Sequence, residues 1–283
     1  MIKQAFQSFA RFFVFSSIFI GCCAVMMSYQ TLQLLNLRTN WDYLAFVFFA
    51  SLCSYSFHWW LTPYSSSEKI RMQWMKRNKY IHAIFYFIGL AGCIFYYFRL
   101  KEYTIWILIA GVLTFLYSAP KVPWKPLRLL KKIAIGKTIF LAFVWMYVTT
   151  ALPLFISDAS WGWTEILFCA GRYFLIYAIC IMFDYRDREF DRQEGIRSMI
   201  TYFSEKGVDL LFYLSLFAFA ASTIALFFFG FSYPVVFLLI FPGIIVGGLY
   251  ETSKKSSNDW LYYFVLDGLM MLSSLFTLLL SFL

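Results

Sequence analysis

Charge is scarce in this chain. Asp, Glu, Lys and Arg together make up 14% of its 283 residues, against about 25% in a soluble globular domain, while hydrophobic residues make up 61%. A water-soluble core is excluded on that balance. The apolar residues fall in runs of roughly 17 to 24, which at about 1.5 Å per residue cross a hydrocarbon layer about 30 Å thick. Polar and apolar residues also fail to alternate: stretches such as LFYLSLFAFAASTIALFFFG have none of the period-two pattern that a membrane β-barrel needs.

Metal-binding cysteine patterns are missing as well. Cys22, Cys23, Cys53, Cys93, Cys169 and Cys180 include no CxxC pair, and the chain has only two histidines. They read as small side chains buried in the membrane, neither a disulfide framework nor a zinc site. There is no internal repeat, low-complexity linker or soluble segment, so residues 1–283 are expected to form one integral-membrane domain. The expected fold class is all-α, a polytopic helical bundle in the bilayer.

What is present is a set of apolar segments separated by short basic loops. Nine spans are expected, at about 12–28, 43–61, 80–98, 103–118, 137–156, 165–183, 208–230, 233–250 and 260–282. Pro234 suits the first turn of a new helix, so the seventh and eighth spans should form a tight hairpin. The net charge of +9 sits in the loops, and on this topology all Lys and Arg except Arg38, Arg99, Lys101 and Arg172 fall on one side of the membrane. That bias places the N-terminus in the cytoplasm and the C-terminus outside, in a multi-pass protein of the cell (inner) membrane. The charge therefore implies no nucleic-acid partner; the partner it implies is the lipid bilayer.

The stretch richest in chemistry lies at the cytoplasmic end of the sixth span, Phe183-Asp184-Tyr185-Arg186-Asp187-Arg188-Glu189-Phe190-Asp191-Arg192-Gln193-Glu194-Gly195-Ile196-Arg197. On a continuing helix Asp184, Asp187 and Asp191 share one face. Carboxylates at that spacing repel unless a counter-ion joins them, and hard oxygen donors without a neighbouring His or Cys favour Mg2+. The same spacing also fits a solvated loop in which the interleaved basic residues neutralise the acids.

The order of residues in DYRDREFDRQEGIR closely resembles the second aspartate-rich motif of the UbiA superfamily of intramembrane prenyltransferases. The resemblance implies that Asp187 and Asp191 are paired magnesium ligands, with Asp184 an additional acid one turn earlier. Tyr117-Ser118-Ala119-Pro120-Lys121, at the end of the fourth span, is similar to the family's YxxxK motif, which implies that Tyr117 and Lys121 stand near a diphosphate. Nine spans and the segment LAFVWMYVTTALP also look like the family. It implies a helical bundle around a central cavity, with Mg2+ as cofactor, a polyprenyl diphosphate as donor and a lipophilic acceptor.

One departure is large. The family's first aspartate-rich motif belongs at the end of the second span, where this chain reads SYSFHWWLTPYSSSE and has no aspartate. His58 and Glu68 are the candidates to replace it, although His58 also reads as an interfacial histidine among tryptophans. Two readings follow. The chain transfers a prenyl group with fewer metal ligands, while Lys121, Lys125 or Arg71 offset the phosphate charge, or it binds an isoprenoid lipid without reacting it. Arg172 and Asp267 lie inside spans, where ionisable groups are usually partnered, so an ion pair between them is expected.

Overall fold

The structure is a computed structural model that describes residues 2–62, 70–122, 136–193 and 198–282. The side chains of Ile2, Lys3, Pro120, Glu189, Phe190, Asp191 and Gln193 fall outside that description. Glu68 and Lys125, both singled out above, lie outside the described residues altogether. The described chain is helical and has no strand.

In order the helices are α1 (Ile2–Phe15), α2 (Ile18–Leu34), α3 (Trp41–Trp60), α4 (Ile70–Arg77), α5 (Lys79–Arg99) and α6 (Thr104–Ser118). They continue as α7 (Lys137–Ile156), α8 (Trp163–Gln193), α9 (Met199–Tyr202), α10 (Glu205–Ala225), α11 (Tyr233–Lys255) and α12 (Leu261–Leu280). Local signals set several boundaries. Asn40 accepts a hydrogen bond from the Tyr43 N–H at the start of α3, and Ser204 accepts one from Gly207 before α10, each supplying a partner that the first helical turn lacks. Between α10 and α11 Gly230 takes φ 91, a conformation glycine adopts without strain, and Pro234 follows in the first turn of α11. The expected tight hairpin is there.

Among the described residues six helices are long and apolar enough to cross a membrane, or seven if α1 and α2 count as one bent span, so the expected nine are not established. Two sequence features account for the shortfall. α6 has 15 helical residues, about 22 Å at 1.5 Å per residue and short of the hydrocarbon thickness; α3 has the length, but Ser51, Ser54, Ser56 and His58 dilute its apolar character. The first span also differs from expectation. Instead of one helix over 12–28, the chain bends by 60° between α1 and α2, with Ser17 at φ 76. That leaves α1 a separate amphipathic helix with Phe6 and Phe9 exposed, the pattern of a helix lying in the membrane interface.

α8 is the central helix. From Leu175 to Met182 every residue is buried, and α7, α10 and α11 pack around it. α5 lies against α3 so closely that a Cβ on Gly89 would stand 2.6 Å from the Cys53 backbone nitrogen; small residues allow such contact between membrane helices. Two turns are wound wider than an α-helix, Tyr147–Ala151 in α7 and Leu261–Leu266 in α12.

The expected Arg172–Asp267 ion pair does not form. Arg172 donates to Gln30 Oε1 at 2.9 Å and to the Met27 carbonyl at 3.4 Å. Gln30 in turn binds Thr277, Ser273 and Ser274 of α12. The reason is depth. The α12 residues beside Gln30 and Arg172 lie two to three turns beyond Asp267, which belongs to the opposite half of the bundle. All six cysteines are free.

Candidate functional site

At the end of α6 the helix tightens into a turn at Ala119–Lys121, which brings Lys121 back toward the end of α3. There the Lys121 ammonium donates to Thr62 Oγ1 at 2.7 Å and to His58 Nε2 at 2.6 Å. With Nε2 accepting, the His58 Nδ1–H donates to Ser118 Oγ at 3.1 Å. The imidazole stacks on the Tyr117 ring, with centroids 5.2 Å apart and planes 16° from parallel. His58 and Thr62 thus fix the ammonium group in place, and Ser118 and Tyr117 in turn fix His58. Behind His58, Tyr117 and Ser118 opens an apolar cavity of about 480 Å³, walled by α3, α5, α6 and α7.

A second cationic group adjoins the first across Trp59. The Arg71 guanidinium lies 4.0 Å from the Trp59 ring centroid and 3.6 Å from that of Tyr263, held between two aromatic faces. Its backbone N–H caps onto Asp259 Oδ2 at 2.8 Å. Burial lowers the Arg71 pKa from its ordinary value, with Tyr263, Asp267 and Asp259 opposing the shift and Arg186 adding to it. Arg186 also stands by Tyr263, 4.5 Å from the ring centroid.

α8 continues past Asp184 and Asp187 to Gln193 as one helix, so the acids share a face as expected. Asp187 receives two bonds from Arg186, Nε to Oδ1 at 2.9 Å and Nη2 to Oδ2 at 3.1 Å. Asp184 accepts from Thr138 Oγ1 of α7 at 2.5 Å. Both acids and Lys137 lie within electrostatic reach of Tyr117, which ties α8 to the mouth of the cavity. The structure therefore gathers Tyr117, Lys121, His58, Arg71, Asp184 and Asp187 at one end of the bundle.

The donor set fits a divalent ion on one side only. On α8 the oxygens of Asp184 and Asp187 are of the hard type that Mg2+ takes, with room for phosphate and water as further ligands. At the end of α3 no carboxylate is described, and His58 already spends both ring nitrogens on Lys121 and Ser118. No cluster of three or more His, Cys, Asp or Glu side chains able to hold a metal is found among the described residues. Several contributors escaped sequence reasoning. Thr62, Ser118, Thr138 and Tyr263 carry no sequence signal, whereas Arg186 pairs with Asp187 as the solvated-loop reading of the motif has its basic residues do.

A helical bundle with a charged mouth above an apolar chamber defines the class as a multi-pass membrane protein built around a cavity. Residues 75–275 match the family described as the UbiA prenyltransferase family. More than half of the chain is matched, and the chain belongs to that family. The match begins after α3, the helix whose end lacks the first acidic motif. The fold is similar to a solved structure titled "Apo structure of a UbiA homolog from Aeropyrum pernix K1", with a TM-score of 0.70, 12% identity, and coverage of 94% of this chain and 99% of that one. No curated protein matches the chain. Membership of the family carries a membrane prenyltransferase type of function.

Proposed function

We propose that the chain transfers a prenyl group from a polyprenyl diphosphate to an aromatic or other lipophilic acceptor inside the bilayer, in the cell (inner) membrane and with the basic end of the bundle facing the cytoplasm. One observation carries the reading: an ammonium pinned by His58 and Thr62 stands at the entrance of an apolar cavity whose wall includes Tyr117, the ring that the α8 acids also reach. A diphosphate head and a hydrocarbon tail need that pair of environments side by side. At about 30 Å³ per water-sized group, the cavity accommodates on the order of fifteen carbons.

In this mechanism Lys121 and Arg71 bind the diphosphate and stabilise the charge that grows on it as the allylic carbon–oxygen bond breaks. Asp184 and Asp187 would hold Mg2+, with Asp191 the third candidate on the same helix. When bound, the ion supplies further charge stabilisation to the leaving group. Thr138 orients Asp184, and Arg186 orients Asp187. Aromatic faces around the mouth, Trp59 and Tyr117 among them, shield the allylic cation from water. With cations in place of carboxylates at the end of α3, the site runs on one divalent ion rather than two.

The test is release of diphosphate from radiolabelled geranyl, farnesyl and longer diphosphates by purified protein. Release is expected to need Mg2+ with a concentration dependence of first order, and Asp187→Ala and Asp191→Ala are each expected to abolish it with expression intact. Wild-type rates in either variant would defeat the site assignment. Lipid binding with no release from any donor would leave the chain an isoprenoid-binding relative of the family.

A further inference from the structure

The half of the bundle away from the charged mouth holds a cation that the mechanism above does not use. Arg172 follows the start of α8 at Trp163 by about 14 Å of helix, and it is only 7% exposed. Among the described residues it makes no ion pair. Both of its hydrogen bonds leave from Nη2, to Gln30 Oε1 and to the Met27 carbonyl, whereas a guanidinium also carries N–H groups on its other two nitrogens. Those on Nε and Nη1 meet no acceptor among the described residues. The acids near it in sequence and charge do not serve. Glu165 stands two turns earlier on α8 and accepts the Gly162 N–H at 2.9 Å, and Asp267 belongs to the other half of the bundle. Gln30 is a neutral acceptor that Arg172, Ser273 and Ser274 already share, so it solvates the guanidinium without neutralising it. A buried charge in that condition is costly to keep inside a membrane.

The space beside Arg172 supplies the second half of the observation. A cavity of about 30 Å³ opens between α8, α10, α11 and α12, with room for about one water-sized group. Arg172, Gln30, Thr223 and Ser273 form its polar lining, and Leu226 and Leu239 contribute hydrocarbon. The Thr223 hydroxyl already donates to the Phe219 carbonyl and that of Ser273 to Gln30, which leaves the guanidinium as the main donor facing the space. Gly171 keeps the space open, since a Cβ there would stand 3.1 Å from Thr223 Oγ1. A cation without a counter-charge and a pocket of one-group size therefore coincide.

We propose that this cavity binds a small, singly charged anion against Arg172, a halide or the carboxylate head of an amphiphilic acid. Its size excludes a phosphate, which sets four oxygens around one centre, and so separates it from the diphosphate end of the bundle. The anion neutralises a charge that is itself tied to α2 through Gln30 and Met27 and, through Gln30, to α12. Its effect therefore falls on the stability of that half of the bundle. The proposal is independent of the prenyl-transfer reading and stands or falls without turnover.

The experiment follows thermal unfolding of the purified full chain in a neutral detergent. In one arm sodium chloride replaces sodium gluconate at fixed ionic strength; in the other sodium decanoate is added, with decanol as its uncharged control. The midpoint of the wild type should rise along a saturating curve, by about 3–6 °C at ten times the Kd. A rise with chloride identifies a free ion as the ligand, and a rise with decanoate alone, absent with decanol, identifies the headgroup of an acid drawn from the bilayer. Arg172→Met should lose the rise in either case. Gly171→Ala, which keeps the guanidinium but puts a methyl group beside Thr223, should cut it to less than a third. The rise is read within each variant, so a lower starting stability does not enter. No saturable rise in the wild type with either anion, or a full rise in Arg172→Met, overturns the proposal. Should Arg172→Met yield no folded protein, Gly171→Ala decides, and a full wild-type rise there overturns it as well.

Discussion

Replacing Gly89 by alanine should loosen the contact between α3 and α5, and the structure sets the size of the effect. Alanine favours a helix over glycine by about 1 kcal/mol, so a bare Gly→Ala change in a helix is stabilising. At Gly248 of α11 that gain should be realised, because a new Cβ meets nothing within 4 Å. At Gly89 the Cβ falls 2.6 Å from the Cys53 nitrogen and 2.8 Å from its Cα. Backbone atoms cannot rotate aside, so the two helices must part by about 1 Å to restore ordinary contact. Overpacking of this kind costs about 1–3 kcal/mol, and since the helix term is common to both variants, the gap between them is the packing term alone. Thermal unfolding in detergent, followed by tryptophan fluorescence, measures it. Gly89→Ala should melt at least about 2 °C below Gly248→Ala, taking about 2–4 °C per kcal/mol. If it melts level with or above Gly248→Ala, the close helix contact is not the structural element described here.

Two further outcomes are expected. His58→Phe removes the acceptor that ties Lys121 to α3, and the KM for prenyl diphosphate should rise about tenfold, the scale of one charge-assisted hydrogen bond; an unchanged KM would mean that Lys121 needs no such anchor. Arg172→Met takes the guanidinium from Gln30 and the Met27 carbonyl in the other half of the bundle, and should lower stability by about 1–3 kcal/mol in the same melting assay without altering the KM for the donor.

The parts of this architecture visible in the amino-acid order are those written in local pattern. Apolar length marks the core of each membrane helix, and the order of charges after Phe183 points to a continuing α8 with its acids on one face. The bend at Ser17 has no comparable mark, since serine neither breaks a helix nor requires a left-handed backbone; hydropathy runs straight through it. The shortness of α6 is, by contrast, legible, because the apolar run expected at 103–118 is hardly longer than the helix Thr104–Ser118 itself. His58 shows why the site was only half legible. In sequence it is a histidine beside two tryptophans, and its chemistry comes from Lys121, 63 positions away, and from Ser118. Arg172 and Asp267 illustrate the opposite error, in which two opposite charges suggested a pair that helix depth forbids.

On one flank the cavity is closed by α5, a helix that fully buries only His82 and Gly89 and leaves Ile84, Phe87, Phe95 and Phe98 exposed on its outer face. With prenyl transfer as proposed, a single-helix wall between chamber and hydrocarbon should let a long-tailed substrate be met sideways, from among the lipids. Its effective concentration is then a mole fraction of the surrounding amphiphile. Kinetic constants in detergent should scale with the amount of micelle, so that diluting a fixed quantity of donor into more detergent slows the reaction while every bulk molarity of donor stays the same.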